Sequence, residues 1–364
     1  MVSDSTLLVP QDRSGDRALR ASIIIVSFNS RQKVIQCLDS LGRTISADCE
    51  IIVVDNASVD GSAEAVETSF PDVILIRSNT NCGFGAGSNL GARRAAGGYL
   101  IFLNPDTLVE SGWIEALLAP FEMDARAGLV TAKVLLADQP DRINACGNTV
   151  HITGLTLCRG MGQPRETLSH PEEIGAVSGA AFAIRRELFD TLGGFDEDTF
   201  LYMEDTDLSW RARLAGWRCF YAPDSIVLHY YSFRLMQLKV FYQERNRYMM
   251  LLKTLRLPTL IVLLPVQILA EIITWGFVIG HDRANFMNKL RAYRWVIMNW
   301  SAIMRKRKLT QSLRKAPDRQ LLLLTDFRLD FQQVNSGGIA LLARFIFSPL
   351  FLVLRCITLT LVWW

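Results

Sequence analysis

The chain has 364 residues, half of them hydrophobic and 21% charged, which excludes a disordered or solvating chain too poor in apolar residues to form a core. Seven cysteines without a C-x-x-C pair, and only four histidines, speak against a disulfide scaffold and a structural zinc site. The net charge of +3 is unevenly spread: residues 256–364 hold 15 Lys and Arg against 5 Asp and Glu, whereas residues 1–255 hold 24 against 31.

Residues 1–20 are polar and lack the apolar stretch of a signal peptide, so they read as a frayed leader on a cytoplasmic protein. Short β-branched apolar runs follow at residues 22–26, 50–54, 73–76 and 99–103. None alternates with polar residues, which is the pattern of parallel strands covered on both faces. Between the first two, Ile35, Leu38 and Leu41 recur at helical spacing behind Ser30, a candidate N-cap. Further helical patterns follow Gly61-Ser62 and Gly87-Ser88. Strands alternating with helices predict a mainly parallel sheet, whose ligands bind beyond the carboxyl ends of its strands. Those ends read Ser27-Phe28-Asn29, Asp55-Asn56, the glycine-rich segment 79–87, and Asn104-Pro105-Asp106.

Taken singly, each of these is also ordinary turn or cap chemistry. On consecutive strands at one sheet edge they lay out a nucleotide site, and a strand-end carboxylate suits Mg2+ or Mn2+ held against a diphosphate. The glycines at 83, 85, 87 and 91 miss the G-x-G-x-x-G spacing, because Leu90 stands where the third glycine belongs. They also follow the third strand rather than the first, which weighs against a nicotinamide cofactor.

Glu204, Asp205 and Asp207 crowd the predicted start of a helix, where carboxylates suit the dipole. Asp207 pairs with Arg211 at i, i+4, and Gly216 ends the helix. Neither effect explains Glu204 beside Asp205. Adjacent like charges raise each other's pKa, and a carboxylate held this way is a candidate general base.

These motifs, at residues 24–29, 54–62, 81–84 with Asn89, 104–106, 178–180 and 200–205, occur in order between Ala21 and about Tyr230. In them the chain resembles the family 2 glycosyltransferases of GT-A fold, in the branch of bacterial rhamnosyl- and galactofuranosyltransferases. The resemblance implies a Rossmann-like mixed α/β sheet, mainly parallel, with helices on both faces. It implies that Ser27, Asn29, Asp55 and Asn56 surround the nucleobase and ribose, and that Gly83, Phe84, Asn89 and Asn104 line the nucleotide-sugar pocket. Asp106 and His229 would bind Mg2+ or Mn2+, with Asn104 replacing the first acid of the usual D-x-D. Gly179, Ala180 and Tyr202 would face the acceptor, and Asp205, beside Glu204, would be the catalytic base.

The activity implied is inverting transfer of a sugar in cell-surface polysaccharide synthesis. The donor would be dTDP-rhamnose, or a UDP-sugar, and the acceptor a saccharide or a polyprenyl-linked one. The alternative is a catalytically idle sugar-nucleotide-binding scaffold, against which Asp106, Glu204 and Asp205 argue.

Residues 257–280 and 341–364 are apolar stretches, each matching the roughly 20 residues that cross a bilayer. Each also carries a charge that costs roughly 2.5–3.5 kcal/mol near the centre of a spanning helix. The connection, residues 281–336, holds 12 Lys and Arg against 4 Asp and Glu, and a single crossing would place it outside the cell, against the positive-inside tendency. A peripheral or re-entrant arrangement on the cytoplasmic side of the membrane avoids both conflicts. Residues 287–308 then read as a basic amphipathic surface helix ending in Arg305-Lys306-Arg307-Lys308, drawn to anionic lipid. A helical subdomain packed on the catalytic part, or a homodimer interface, is the rival reading. Nucleic acid is excluded as a partner, since no recognition module accompanies the basic run. The expected organisation is a leader over 1–20, a GT-A catalytic domain over 21–255 and a helical, basic, membrane-associating region over 256–364.

Overall fold

The computed structural model describes residues 19–231, 238–329 and 341–364; nearly all of the expected leader lies outside them. The elements run β1 (Ala21–Ser27), α1 (Arg31–Gly42), β2 (Cys49–Asp55), α2 (Ser62–Ser69), β3 (Ile74–Arg77), α3 (Gly83–Arg94), β4 (Tyr99–Leu103), β5 (Thr107–Val109) and α4 (Trp113–Met123). There follow β6 (Ala127–Leu136), β7 (Gln139–Ala145), β8 (Asn148–Val150), β9 (Thr156–Cys158), β10 (Glu172–Glu173), β11 (Ala181–Arg185), α5 (Arg186–Thr191), α6 (Glu204–Leu214) and β12 (Arg218–His229). The helical remainder is α7 (Lys239–Thr254), α8 (Leu257–Val262), α9 (Leu264–His281), α10 (Phe286–Met298), α11 (Trp300–Ser312), α12 (Asp318–Leu323) and α13 (Ser348–Leu361).

The main sheet has the order β10-β12-β6-β11-β4-β1-β2-β3. Strands β3, β2, β1 and β4 are parallel to one another, as the uninterrupted apolar runs predict. β11 runs antiparallel to both neighbours, which makes the sheet mixed. Side chains alternate between two cores. Ile23, Ile25 and Val53 pack with Val34, Leu38 and Leu41 of α1. Ile24, Ile52 and Val54 pack with Ala92 of α3 and with Leu208 and Ala212 of α6.

A third core joins Trp210 and Leu214 of α6 to Met250 and Leu251 of α7, Val266 and Ala270 of α9, Leu321 of α12 and Phe351 of α13. Packing and hydrogen bonds therefore run unbroken across position 255.

Local details depart from the sequence reading. Ser30 occupies the N-cap position of α1 but makes no capping bond; the first amide, that of Arg31, donates to Asp60 Oδ2 at 2.9 Å. The apolar stretch 257–280 is not one helix. It breaks at Leu263, where Pro265 sits in the first turn of α9. The surface helix expected over 287–308 breaks at Asn299 into α10 and α11. Among the described residues one helix, Ala343–Leu361, is long and apolar enough to cross a membrane, and only 17% of its apolar window is buried in the protein. Leu264–Gly280 and Arg283–Met298 pass the same test together but are bent by 118°.

Candidate active site

The carboxyl ends of β1, β2 and β4 open beside two adjoining clefts. The smaller, about 540 Å³, is lined by residues 28–33 with Asp60, Pro105 and Asp106. The second, about 560 Å³, holds Asn104, Glu204, Asp205 and His229 on its walls, with Phe84 and Tyr202 beside them.

Ser27 is buried, its Oγ 2.8 Å from that of Ser30. Asn29 ties the β1 loop to the β2 loop: its amide donates to Ser58 Oγ at 3.0 Å and its Oδ1 accepts from Val59 N at 2.9 Å. Asp55 is 4% exposed. Its Oδ2 accepts from Ser58 N at 3.1 Å, while its Oδ1 is buried without a partner. Leaving a buried acceptor unpaired costs about 1–3 kcal/mol, so this oxygen is suited to an N–H supplied by a ligand.

Two asparagines expected at the donor act on the protein instead. Asn56 Nδ2 donates to Asn81 Oδ1 and the Gly83 carbonyl, and its Oδ1 accepts from Cys82 N, each at 3.1 Å. Its amide is fully occupied in shaping the glycine loop. Asn89 faces the loop at 194–197, away from the clefts. Its Nδ2 donates to the Phe195 carbonyl and Glu197 Oε1, and its Oδ1 accepts from Phe195 N. Gly83 sits at φ +83°, and a Cβ there would lie 2.3 Å from the Phe200 carbonyl oxygen; it too packs rather than lines. Phe84 lines the second cleft and donates its N–H to that carbonyl at 2.9 Å.

Asp106 and His229 come together from β4 and the end of β12, with Asp106 Oδ1 3.1 Å from His229 Nε2. Lys33 Nζ stands 3.4 Å from Asp106 Oδ2. Burial works to raise the Asp106 pKa, yet His229 and Lys33 hold it below the usual carboxylate range. His229 Nδ1 lies 2.8 Å from Asn144 Oδ1. Against that acceptor Nδ1 carries the hydrogen, so in the neutral ring Nε2 turns a lone pair toward a carboxylate oxygen. Two acceptors at this distance require a proton or a cation between them. The pair thus fits a divalent cation through one oxygen and one imidazole nitrogen, a donor set that leaves positions for diphosphate oxygens. Among the described residues no cluster of three or more His, Cys, Asp or Glu forms a complete metal cage.

Asp205 opens α6. Its Oδ2 accepts from Gly179 N at 2.7 Å and Asn148 Nδ2 at 2.8 Å, and its Oδ1 from Thr206 N at 2.6 Å. The Ala180 carbonyl accepts from Asn104 N at 3.0 Å, tying the Ser178-Gly179-Ala180 turn to the Asn104-Pro105-Asp106 segment. Burial raises the Asp205 pKa while these donors oppose the rise. Glu204 is pushed up to about 8, first by burial and then by the charge of Asp205, so it carries a proton at neutral pH.

The loop feeding α6 is conformationally unusual: Phe200, Tyr202 and Met203 all have positive φ, which non-glycine residues rarely adopt. Such geometry persists only where the surroundings hold it. Here α7 does so. Asn246 Nδ2 lies within 3.0 Å of the carbonyls of Thr199, Leu201 and Tyr202, and Arg245 donates to those of Asp198 and Thr199. Buried Lys253 pairs with Asp196 and with Asp207, whose other oxygen pairs with Arg211.

Sequence reasoning missed Lys33, Asn144, Asn148, Arg245 and Asn246, none of which stands in a recognisable motif. The basic run of α11 is also partly reassigned: Lys306 pairs with Asp196 and Asp198, and Arg307 donates to the carbonyls of Leu252 and Leu255. Arg305 and Lys308 remain exposed.

Residues 22–193 match the model of a family described as "Glycosyl transferase family 2". The N-acetylglucosaminyl-diphospho-decaprenol L-rhamnosyltransferase of Mycobacterium tuberculosis is 29% identical over 232 residues, covering 57% of this chain and 75% of the relative. Among solved structures, GalNAc-T7 with UDP, GalNAc and Mn2+ superposes with a TM-score of 0.54 at 20% identity, over 65% of this chain and 48% of that one. S. aureus TarS 1-349 in complex with UDP-GlcNAc gives 0.54 at 15% identity, over 94% of this chain and 89% of that one. These structural likenesses establish a GT-A-like mixed α/β fold.

Proposed function

We propose, from the match of residues 22–193 to glycosyl transferase family 2 and the 29% identical relative, inverting, metal-dependent transfer of a sugar, rhamnose favoured, from a nucleoside diphosphate to a polyprenyl-diphosphate-linked acceptor. The donor is dTDP-rhamnose in this reading, with UDP-sugars next. The carrying observation is the Asp205 carboxylate, gripped by four hydrogen-bond donors on the wall of a cleft that also holds His229.

In the reaction the acceptor hydroxyl oxygen bonds to the anomeric carbon while the bond from that carbon to the diphosphate breaks. The hydroxyl proton passes to Asp205, and the bonding pair departs with the nucleoside diphosphate. The donors on Asp205 fix its orientation, and burial raises its proton affinity toward the working pH, where general bases are most effective. The unpartnered Asp55 Oδ1 accepts the imide N–H of a thymine or uracil, a hydrogen that cytosine lacks. Asp106 and His229 would hold the divalent cation, which supplies charge neutralisation for the leaving diphosphate when bound. Lys33 adds a positive charge on the same side.

The bare apolar faces of α9 and α13 support a peripheral or re-entrant placement on the cytoplasmic side of the membrane, where such an acceptor and a cytoplasmic donor meet. Exposed Ile268, Ile272, Val353 and Ile357 form surface that water does not favour. A panel of nucleotide sugars, with and without Mn2+ or Mg2+, tests the reading. Metal-dependent binding and turnover of dTDP-rhamnose or a UDP-sugar is expected; failure to bind any donor overturns it.

A further inference from the structure

The β8–β9 hairpin forms a wall of the catalytic cleft on one side and of a separate cavity on the other. Asn148 at its start fixes Asp205, and Thr156, Leu157 and Cys158 on its second strand line the cleft. Leu157 also lines a cavity of about 80 Å³ with Leu155, Ala270, Ile273, Leu329 and Phe351. The two threonines that complete this lining spend their hydroxyls elsewhere. Thr153 Oγ1 lies 2.8 Å from His151 Nδ1, and Thr274 Oγ1 donates to the Ala270 carbonyl at 2.9 Å. The cavity therefore presents carbon, and a cavity of this kind stays dry and takes apolar ligands.

Its far walls are the inner faces of α9 and α13, whose outer faces are the bare apolar surfaces described above. On α9, Ala270 and Ile273 turn inward while Ile268 and Ile272 are 58% and 65% exposed. On α13, Phe351 turns inward while Val353 and Ile357 are 56% and 50% exposed. Leu157 is thus common to the cleft and the cavity, and the helices of the cavity's far walls carry exposed apolar residues on their outer faces. On the cleft side Lys239, whose ammonium lies 5.4 Å from the Tyr202 ring, offers a cation among the lining residues.

We propose that the isoprenoid chain of the acceptor leaves the catalytic cleft over Leu157 and seats between the β8–β9 hairpin, α9 and α13. This rests on the polyprenyl-linked acceptor reading and adds the binding site of the lipid portion. The sugar to be extended then lies at Asp205, the diphosphate falls toward the Lys239 side of the cleft, and the first isoprene units exchange water for the walls of the cavity.

The test compares two acceptors on the full-length protein: N-acetylglucosaminyl-diphospho-decaprenol and the same sugar diphosphate on a short alkyl chain. Wild type is expected to show at least a tenfold lower KM for the long chain. Ile273→Asp, which charges the cavity, and Ala270→Phe, which fills it, should raise the long-chain KM tenfold or more. Short-chain turnover and donor affinity should stay within about twofold, which also shows that the variants fold. Equal KM values for the two acceptors in wild type, or variants that affect both acceptors alike, overturn the groove while leaving the reaction standing. No transfer to either acceptor overturns the acceptor reading and the groove with it. A diazirine-bearing isoprenoid diphosphate provides an independent readout in wild type: labelling of residues 155–157 or 270–273 is expected, and labelling confined to the outer face of α13 contradicts the proposal.

Discussion

Asp205 draws its basicity from two opposed effects, burial that favours its protonated form and four donors, from Gly179, Asn148 and both N–H and hydroxyl of Thr206, that favour the anion. A group so placed is worth roughly 10²–10⁴ in rate as a general base. Asp205→Asn should therefore lower kcat by at least roughly 10² with donor affinity unchanged, as measured by steady-state kinetics and nucleotide titration. Asn144 acts one bond further out, fixing the tautomer of His229. Partners of this kind contribute roughly 10–100-fold in metal affinity, so Asn144→Ala should raise the metal concentration needed for half-maximal donor binding by that factor.

Glu204 yields a pH prediction. Its folded pKa of about 8 lies above the ordinary 4.5, so between those values the native state holds a proton that the unfolded chain has released. Stability must then fall as pH rises through that window and level off above it. Replacing the group by a neutral amide, Glu204→Gln, should flatten the decline of Tm between pH 5 and 8.

Asp205 and Asp106 stood out because carboxylate pairs and strand-end acids are unusual locally, and His229 through the family resemblance alone; the structure sets Asp106 and His229 3.1 Å apart. Asn56 and Asn89 were misread for the complementary reason. A polar amide in a glycine loop looks like a ligand contact, and the Phe195 and Glu197 partners of Asn89 lie over 100 residues away.

At the level of elements, the parallel strands were readable because each is an unbroken apolar run. The antiparallel insertion of β11 was not, since strand direction depends on connections that periodicity does not encode. The greater omission is α7, a polar helix that looks like a solvated face. Its Arg245, Asn246 and Lys253 are buried and hold the carbonyls and acids of the loop before Asp205. Asn246→Ala would strand buried carbonyl groups at a cost of about 1–3 kcal/mol. We expect a lower Tm and a lower kcat, with nucleotide affinity retained because the β1 and β2 loops are untouched. A normal kcat at reduced Tm would show that the clamp supports the fold alone.

Across the whole molecule, the acidic front and basic tail are complementary parts of one packed body as well as separate surfaces. Part of the tail's charge is spent internally, through Lys306 on Asp196 and Asp198 and Arg307 on backbone carbonyls. For the proposed membrane contact the tail keeps exposed Arg283, Arg291, Arg294, Arg305 and Lys308 beside the apolar faces of α9 and α13. Binding to anionic vesicles should therefore survive in part at about 1 M salt, where the Debye length is about 3 Å. Val353→Asp with Ile357→Asp should abolish the salt-resistant fraction in a sedimentation assay. The length of the tail's apolar stretches was visible in the sequence, and Pro265 marks the break at Leu263; the break at Asn299, within the basic segment, has no proline or glycine to announce it.

The proposed transfer is read out by mass analysis of N-acetylglucosaminyl-diphospho-decaprenol after incubation with dTDP-rhamnose or a UDP-sugar and Mn2+ or Mg2+. The mass of one added sugar is expected with wild type and none with Asp205→Asn, although that variant still binds donor. Full transfer by Asp205→Asn, or no transfer by wild type from any donor, would contradict it.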